Sequence, residues 1–183
     1  MELVTQPKIV AYIGPMFSEK TTKLICALRR ASRRGQGTLA CKARLDTRYS
    51  KSQITTHDGI SHECTAVSNG MELDNAILDS PATIIGIDEL FLIDGATDII
   101  LKHFRLGKSF YISSIQLSAS GNPFEEVTKL LPFATDIVIC QAICSICGAD
   151  AAYTARKITD LDEIAVGGED LYEPRCYGHF TDW

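Results

Sequence analysis

Residues 14–22 read Gly14-Pro15-Met16-Phe17-Ser18-Glu19-Lys20-Thr21-Thr22, and the reading of this stretch decides the fold. Before it, residues 8–13 (KIVAYI) form a short apolar run that Gly14 and Pro15 stop. After it, residues 20–34 carry Leu24, Leu28 and Ala31 at helical spacing, flanked by Ile25 and Ala27. A loop between a buried strand and a helix N-terminus is where phosphate-binding loops stand. Backbone N–H groups there point at phosphate oxygens, and the helix dipole favours negative charge. Lys20 would add a point charge to the outer phosphates, and the Thr21 hydroxyl would hold Mg²⁺. One element departs from the pattern G-x-x-x-x-G-K-[ST]: Glu19 stands where it has glycine.

Outward from this loop the chain alternates strand and helix. Arg29, Arg30, Arg33 and Arg34 crowd the end of the first helix, where cations suit its dipole, and Gly35 stops it. Residues 38–43 read as a second strand and 44–63 as a polar, turn-rich loop, mobile or binding. Strands follow at 83–87, 109–115 and 136–140, with helices at 94–106 and 125–131. This alternation predicts a mostly parallel sheet with helices on both faces. The pattern breaks near residue 141. Residues 1–140 are therefore expected to form one α/β domain and residues 141–183 a small second one.

Two further groups carry chemistry. The apolar run Ile84-Ile85-Gly86-Ile87 ends in Asp88-Glu89. An acid at a strand end suits Mg²⁺ beside a phosphate loop, and its neighbour suits a general base; a solvated acidic turn is the plainer alternative. The pairs Cys144-x-x-Cys147 and Cys176-x-x-His179 have 28 residues between them. That spacing fits a closed, tetrahedral, structural Zn²⁺ site that staples the intervening loop. Within it, Val166-Gly167-Gly168 and Tyr172 could approach a ligand, or form an ordinary turn.

Composition narrows the function classes. Of 183 residues, 45% are hydrophobic and 22% charged, enough apolar content for a packed core. The net charge of −5 argues against a broad nucleic-acid surface. No long apolar run exists for a membrane span, and the start lacks the pattern of a signal peptide. Seven cysteines with no such signal favour metal binding and packed thiols over disulfides, with Cys26, Cys41, Cys64 and Cys140 expected as packed thiols.

Taken together, GPMFSEKTT, LDTRYS, TTHDG, IIGIDE, NPFEEVTKLLP, CSICGADAAYTAR and VGGEDLYEPRCYGH resemble the thymidine kinase family across nearly the whole chain. The resemblance implies a P-loop α/β domain and a small zinc-ribbon domain whose lasso closes on a nucleoside. It implies an ATP- and Mg²⁺-dependent kinase that phosphorylates the 5′-hydroxyl of thymidine or a related deoxynucleoside. Residues 14–22, with Pro15, Met16, Phe17, Ser18 and Thr22 among them, would hold the phosphates of ATP or of thymidine triphosphate as feedback inhibitor. Asp46 and Arg48 would lie near those phosphates, Asp88 would be the Mg²⁺-associated acid, and Glu89 the base. Met16, Leu92, Ile115, Phe124, Thr154, Ala165, Val166, Gly167 and Tyr172 would surround the nucleoside. A cytoplasmic homotetramer, binding neither membrane nor nucleic acid, is also implied.

The sequence departs from the family at Glu19, Leu90-Phe91, Gln116 and Ala119. Glu19 is expected to weaken ATP binding by setting a carboxylate against the phosphates. This raises an alternative, a catalytically weak nucleotide-binding homologue acting as a sensor or regulator. A zinc-ribbon nucleic-acid-binding protein is a second alternative, which the acidic balance disfavours.

Overall fold

The computed structural model describes residues 6–47, 52–56, 58–158 and 166–181. The apolar run after Lys8 forms β1 (Ile9–Ile13), and the amphipathic stretch after the loop forms α1 (Lys20–Arg33). Next come β2 (Thr38–Ala43), a hairpin of β3 (Gln53–Thr55) and β4 (Ser61–Glu63), β5 (Thr65–Val67) and α2 (Gly70–Leu78). Then follow β6 (Ile84–Asp88), α3 (Ala96–Arg105), β7 (Ser109–Ser114), α4 (Glu125–Leu130) and β8 (Asp136–Ile139). Six of these strands pair in parallel in the order β5-β2-β6-β7-β1-β8. β7 thus separates β1, which feeds the loop, from β6, which ends in the acids. Ligands of open parallel sheets bind at the carboxyl ends of the strands, and both features lie at that edge.

Side chains alternate across the sheet as a strand's period of two demands. On β6, Ile84 packs with Leu24, Ile25 and Leu28 of α1, while Ile85 and Ile87 face the opposite core with Leu73, Ile77 and Ile100. Leu24, Ile25 and Leu28 are fully buried, and each such side chain contributes roughly 1.5–3 kcal/mol. Gly86 is what lets α1 sit this close: a Cβ there would come within 2.6 Å of Leu28. Gly14 plays the same part at the loop entry, where a Cβ would meet the Cys140 carbonyl oxygen at 2.0 Å.

Short polar segments hide elements that periodicity does not reveal. The expected loop at 44–63 contains the β3–β4 hairpin, whose Ile54 is buried against α1's face of the sheet. β5 and α2 occupy a stretch with no clear apolar period, and Asn69 caps α2 by accepting from Glu72 N at 3.0 Å. Cys41 and Cys140 are buried and Cys64 partly so, but Cys26 is exposed on α1 rather than packed.

Beyond β8 come β9 (Ala142–Ile143), β10 (Asp150–Ala151), β11 (Tyr153–Arg156) and β12 (Tyr172–Arg175). They pair as two antiparallel ribbons, β9–β10 and β11–β12. Ala142, Cys144 and Ala151 form a small separate core, and Tyr153 stacks on Phe180 with centroids 4.8 Å apart. A core this small needs a staple to hold it.

Candidate active site and metal centre

The loop bends sharply between β1 and α1. Ser18 is buried and donates to Pro15 O at 2.8 Å. Lys20, also buried, donates to the same oxygen at 2.5 Å and approaches Ser18 Oγ at 3.4 Å. Phe17 and Glu19 take left-handed backbone, with φ of 64° and 58°. A non-glycine residue is uncommon there and costs roughly 1 kcal/mol. Glu19 keeps the conformation that glycine would adopt freely, with its side chain exposed.

Across the sheet edge, Asp88 is buried at the end of β6. It accepts from Thr21 Oγ1 at 3.1 Å and from Ser113 Oγ on β7. The Thr21 bond ties the first turn of α1 to the acid, so the two oxygens expected around Mg²⁺ are already neighbours. Glu89 follows in left-handed backbone, φ 54°, where β6 breaks into a turn of 3-10 helix at Leu90–Leu92. Strained backbone of this kind is enriched at functional sites, where it aims a side chain.

One cleft of about 230 Å³ joins these groups. Met16, Phe17, Ser18, Glu19, Lys20, Thr21, Thr22, Asp46, Asp88 and Glu89 line it. Asp46 is buried and paired with Lys42 at 3.2 Å. The cleft also includes Thr55, Thr56, Asp58 and Glu169, which the sequence reading did not single out as site residues. Thr56, Asp58 and Gly59 belong to the TTHDG stretch, a turn closed by Gly59 N to Thr56 O at 3.0 Å. Its turn-forming composition was the available signal; nothing local marked Glu169. Ser113, a polar residue inside strand β7, was not singled out by any sequence pattern.

Cys64 lies near the same charges. Burial pushes its thiol up to about 11, with Lys42 pulling it down and Asp88 and Asp46 pushing it up. It is a poor nucleophile there.

The residues expected around a nucleoside divide. Thr154 is buried on β11, and its Oγ1 accepts from Met16 N at 2.9 Å, joining the second module to the phosphate loop. Phe124 meets Phe91 with centroids 4.5 Å apart, and Phe124 N donates to Gln116 O at 3.2 Å. Ile115 and Tyr172 are buried, whereas Leu92, Val166 and Gly167 are partly exposed. None of Leu92, Ile115, Phe124, Val166, Gly167 or Tyr172 lines the cleft. Arg48 and Ala165 lie outside the described residues.

Cys144, Cys147, Cys176 and His179 converge, with ligand atoms all within 4.8 Å of one another. Cys147 and Cys176 sulfurs are 3.7 Å apart, and His179 Nδ1 lies 3.8 Å from Cys144 Sγ and 3.2 Å from Cys176 Sγ. A tetrahedron with Zn–S bonds of about 2.3 Å has edges of roughly 3.8 Å, so the donor set fits zinc. Burial alone would raise the Cys144 thiol, yet N–H groups of Cys176, Ile146 and Cys147 bring it down to about 6. That favours a thiolate at Cys144, whereas Cys147 is raised, the Ala149 N–H being outweighed by burial and by the neighbouring Cys144 and Cys176.

Fold and loop together define a parallel α/β protein of the phosphate-binding-loop type. The X-ray structure of the Legionella pneumophila ATPase DotB is similar over 80% of this chain, with a TM-score of 0.50 and 13% identity. The structure of AMPPCP-bound DnaA from Aquifex aeolicus matches over 74% of this chain, with a TM-score of 0.44 and 15% identity. This chain covers 44% and 41% of those two chains. The sequence model of the thymidine kinase family matches residues 7–180, and the chain belongs to that family. Among the described residues, no helix is long and apolar enough to cross a membrane.

Proposed function

We propose that this chain is an ATP-dependent deoxynucleoside 5′-kinase that takes thymidine or a close relative. One observation carries the reading: a single cleft gathers Lys20, Thr21, Asp88 and Glu89, with Thr21 bonded to Asp88. Family membership supports the same chemistry.

In this reading residues 14–22 cradle the triphosphate. Lys20 leaves Pro15 O for the outer phosphates, and α1's N-terminus faces their charge. Asp88 and Thr21 would hold Mg²⁺, which when bound neutralises charge on the transferred group. Glu89 takes the proton from the nucleoside 5′-hydroxyl, and its fixed backbone aims the carboxylate before substrate arrives. Met16, Leu92, Ile115, Phe124, Thr154, Ala165, Val166, Gly167 and Tyr172 enclose the base and sugar. The Thr154–Met16 bond supports this by bringing the second module against the phosphate loop.

Cys144, Cys147, Cys176 and His179 hold a structural Zn²⁺, with residues 1–140 and 141–183 as two functional units. We further propose a cytoplasmic homotetramer inhibited by thymidine triphosphate. The exposed Ile137 and Ile139 on edge strand β8 support self-association. A second reading, a nucleotide sensor with weak catalysis, is favoured by one specific observation, the glutamate held in a glycine's conformation at position 19.

The deciding experiment is a coupled assay of ATP turnover across the natural deoxynucleosides, with Glu89→Gln beside the parent. The parent should turn over with thymidine, and the variant should lose about 10²–10⁴ in kcat with thymidine's Kd little changed. Equal turnover in the two would remove Glu89 as the base, and no turnover with any nucleoside would favour the sensor.

A further inference from the structure

Lys42 is among the largest fully buried side chains, at 2% exposure, and neither loop motif nor acid motif includes it. It sits one residue from the end of β2, in register with Asp88 on β6 and Ala66 on β5. In-register neighbours on parallel strands share a face, so Lys42 and Asp88 emerge side by side at the catalytic edge. Just beyond, Asp46 N donates to Ala43 O at 3.0 Å, a turn that folds Asp46 back over the strand end. Its carboxylate then lies 3.2 Å from Lys42 Nζ, itself only 5% exposed, and lines the cleft.

A buried ion is costly unless its partner is fixed. The strand around Lys42 is otherwise Ala40, Cys41 and Ala43, all buried, so packing alone would accept an apolar residue. The charge has its use at the cleft. There Asp46, Asp88 and Glu89 set three carboxylates on a wall that must also receive a polyanion. A carboxylate in such a low-dielectric wall repels phosphate strongly unless a cation stands behind it.

We propose that Lys42 is a positioning residue for nucleotide binding: acting through Asp46, it balances that carboxylate so that the cleft accepts the triphosphate. The inference rests on the ATP reading given above. It concerns phosphate binding alone and leaves the nucleoside pocket untouched.

The test measures the Kd of ATP by calorimetry, and KM for ATP and for thymidine, in the parent, Lys42→Met, Lys42→Gln and Lys42→Arg. The two neutral variants remove the cation beside Asp46. ATP Kd and KM should rise tenfold or more, with thymidine KM within twofold of the parent. Lys42→Arg keeps a cation there, and ATP binding should stay within threefold of the parent. A merely structural lysine would lower Tm and leave the ratio of the two KM values alone, and that result overturns the proposal. A Lys42→Arg variant as weak as the neutral ones also overturns it, because the charge beside Asp46 would then not be what matters. If Lys42→Met proves too unstable to purify, Lys42→Gln decides by the same criterion. A parent that binds no ATP would instead defeat the kinase reading.

Discussion

At position 19 a single side chain carries the sequence's clearest departure from its family. The backbone holds φ 58° and ψ 21° there, and the carboxylate is exposed at the cleft. Both terms penalise glutamate, but modestly. Left-handed backbone costs a non-glycine residue roughly 1 kcal/mol. A solvated carboxylate at ~5 Å from a phosphate charge costs about 0.8 kcal/mol at a dielectric near that of water. A buried carboxylate would have cost several times more. Glu19→Gly should therefore raise Tm by about 2–4 °C and tighten ATP binding roughly fourfold. Thermal melts and calorimetry on the two proteins check this. An unchanged Tm would mean that the loop holds its shape without strain, and an unchanged Kd that solvent screens the charge completely. Glu89, by contrast, adopts the same backbone region at the end of β6, and in the proposed reading no glycine could replace the carboxylate that accepts the proton.

At the scale of elements, helix ends and helix pairs are fixed by side chains from elsewhere in the chain. Gly95 opens α3 without a side-chain cap of its own. Glu126 on α4 fills the gap, accepting from Gly95 N at 3.1 Å and Thr97 N at 2.7 Å. α2 and α3 are joined by Asp74, which lies 2.7 Å from Lys102 and 2.6 Å from the buried His103. Hydrogen bonds from Lys102 and then His103 hold the Asp74 carboxyl below the usual carboxylate range. A depressed folded pKa stabilises above the unfolded value, near 4, and the gain is lost as pH falls through the folded value. Asp74→Asn should thus lower Tm by about 2–4 °C at pH 7, for roughly 1 kcal/mol. The gap should close as pH drops below about 4. Thermal melts of both proteins at pH 7 and pH 3 test it; a gap independent of pH would show that the ionised carboxylate contributes nothing.

For the whole molecule the decisive arrangement is a large sheet joined to a small stapled module. The module's small apolar cluster is Ala142, Cys144 and Ala151, so in the proposed reading Zn²⁺ on the Cys3His group supplies most of its stability. The sheet, with cores on both faces, needs no such help. Chelation should release about one zinc per chain and abolish thymidine binding, while the melting of the parallel sheet moves by only a few degrees. Metal analysis, calorimetry and far-UV melts read the three quantities. Freshly purified protein without zinc, or thymidine binding that survives chelation, would show that the module closes without a metal.

The sequence by itself determined the phosphate loop, the acid-ended strand, the alternation of strands and helices, and the four metal-type residues. Each is a local pattern: an apolar run, a helical period, or a fixed short spacing. What surrounds them was decided only by the tertiary structure. The β3–β4 hairpin and β5 are strands of three residues, too short for a period to show, and they exist because neighbours pair with them. The Lys42–Asp46 pair needed the turn at the end of β2, and the Ser113–Asp88 bond needed β7 beside β6. The Thr154–Met16 bond joins residues 138 positions apart. Such contacts depend on which strands become neighbours, a choice made by burying both faces of the sheet together rather than by any one segment.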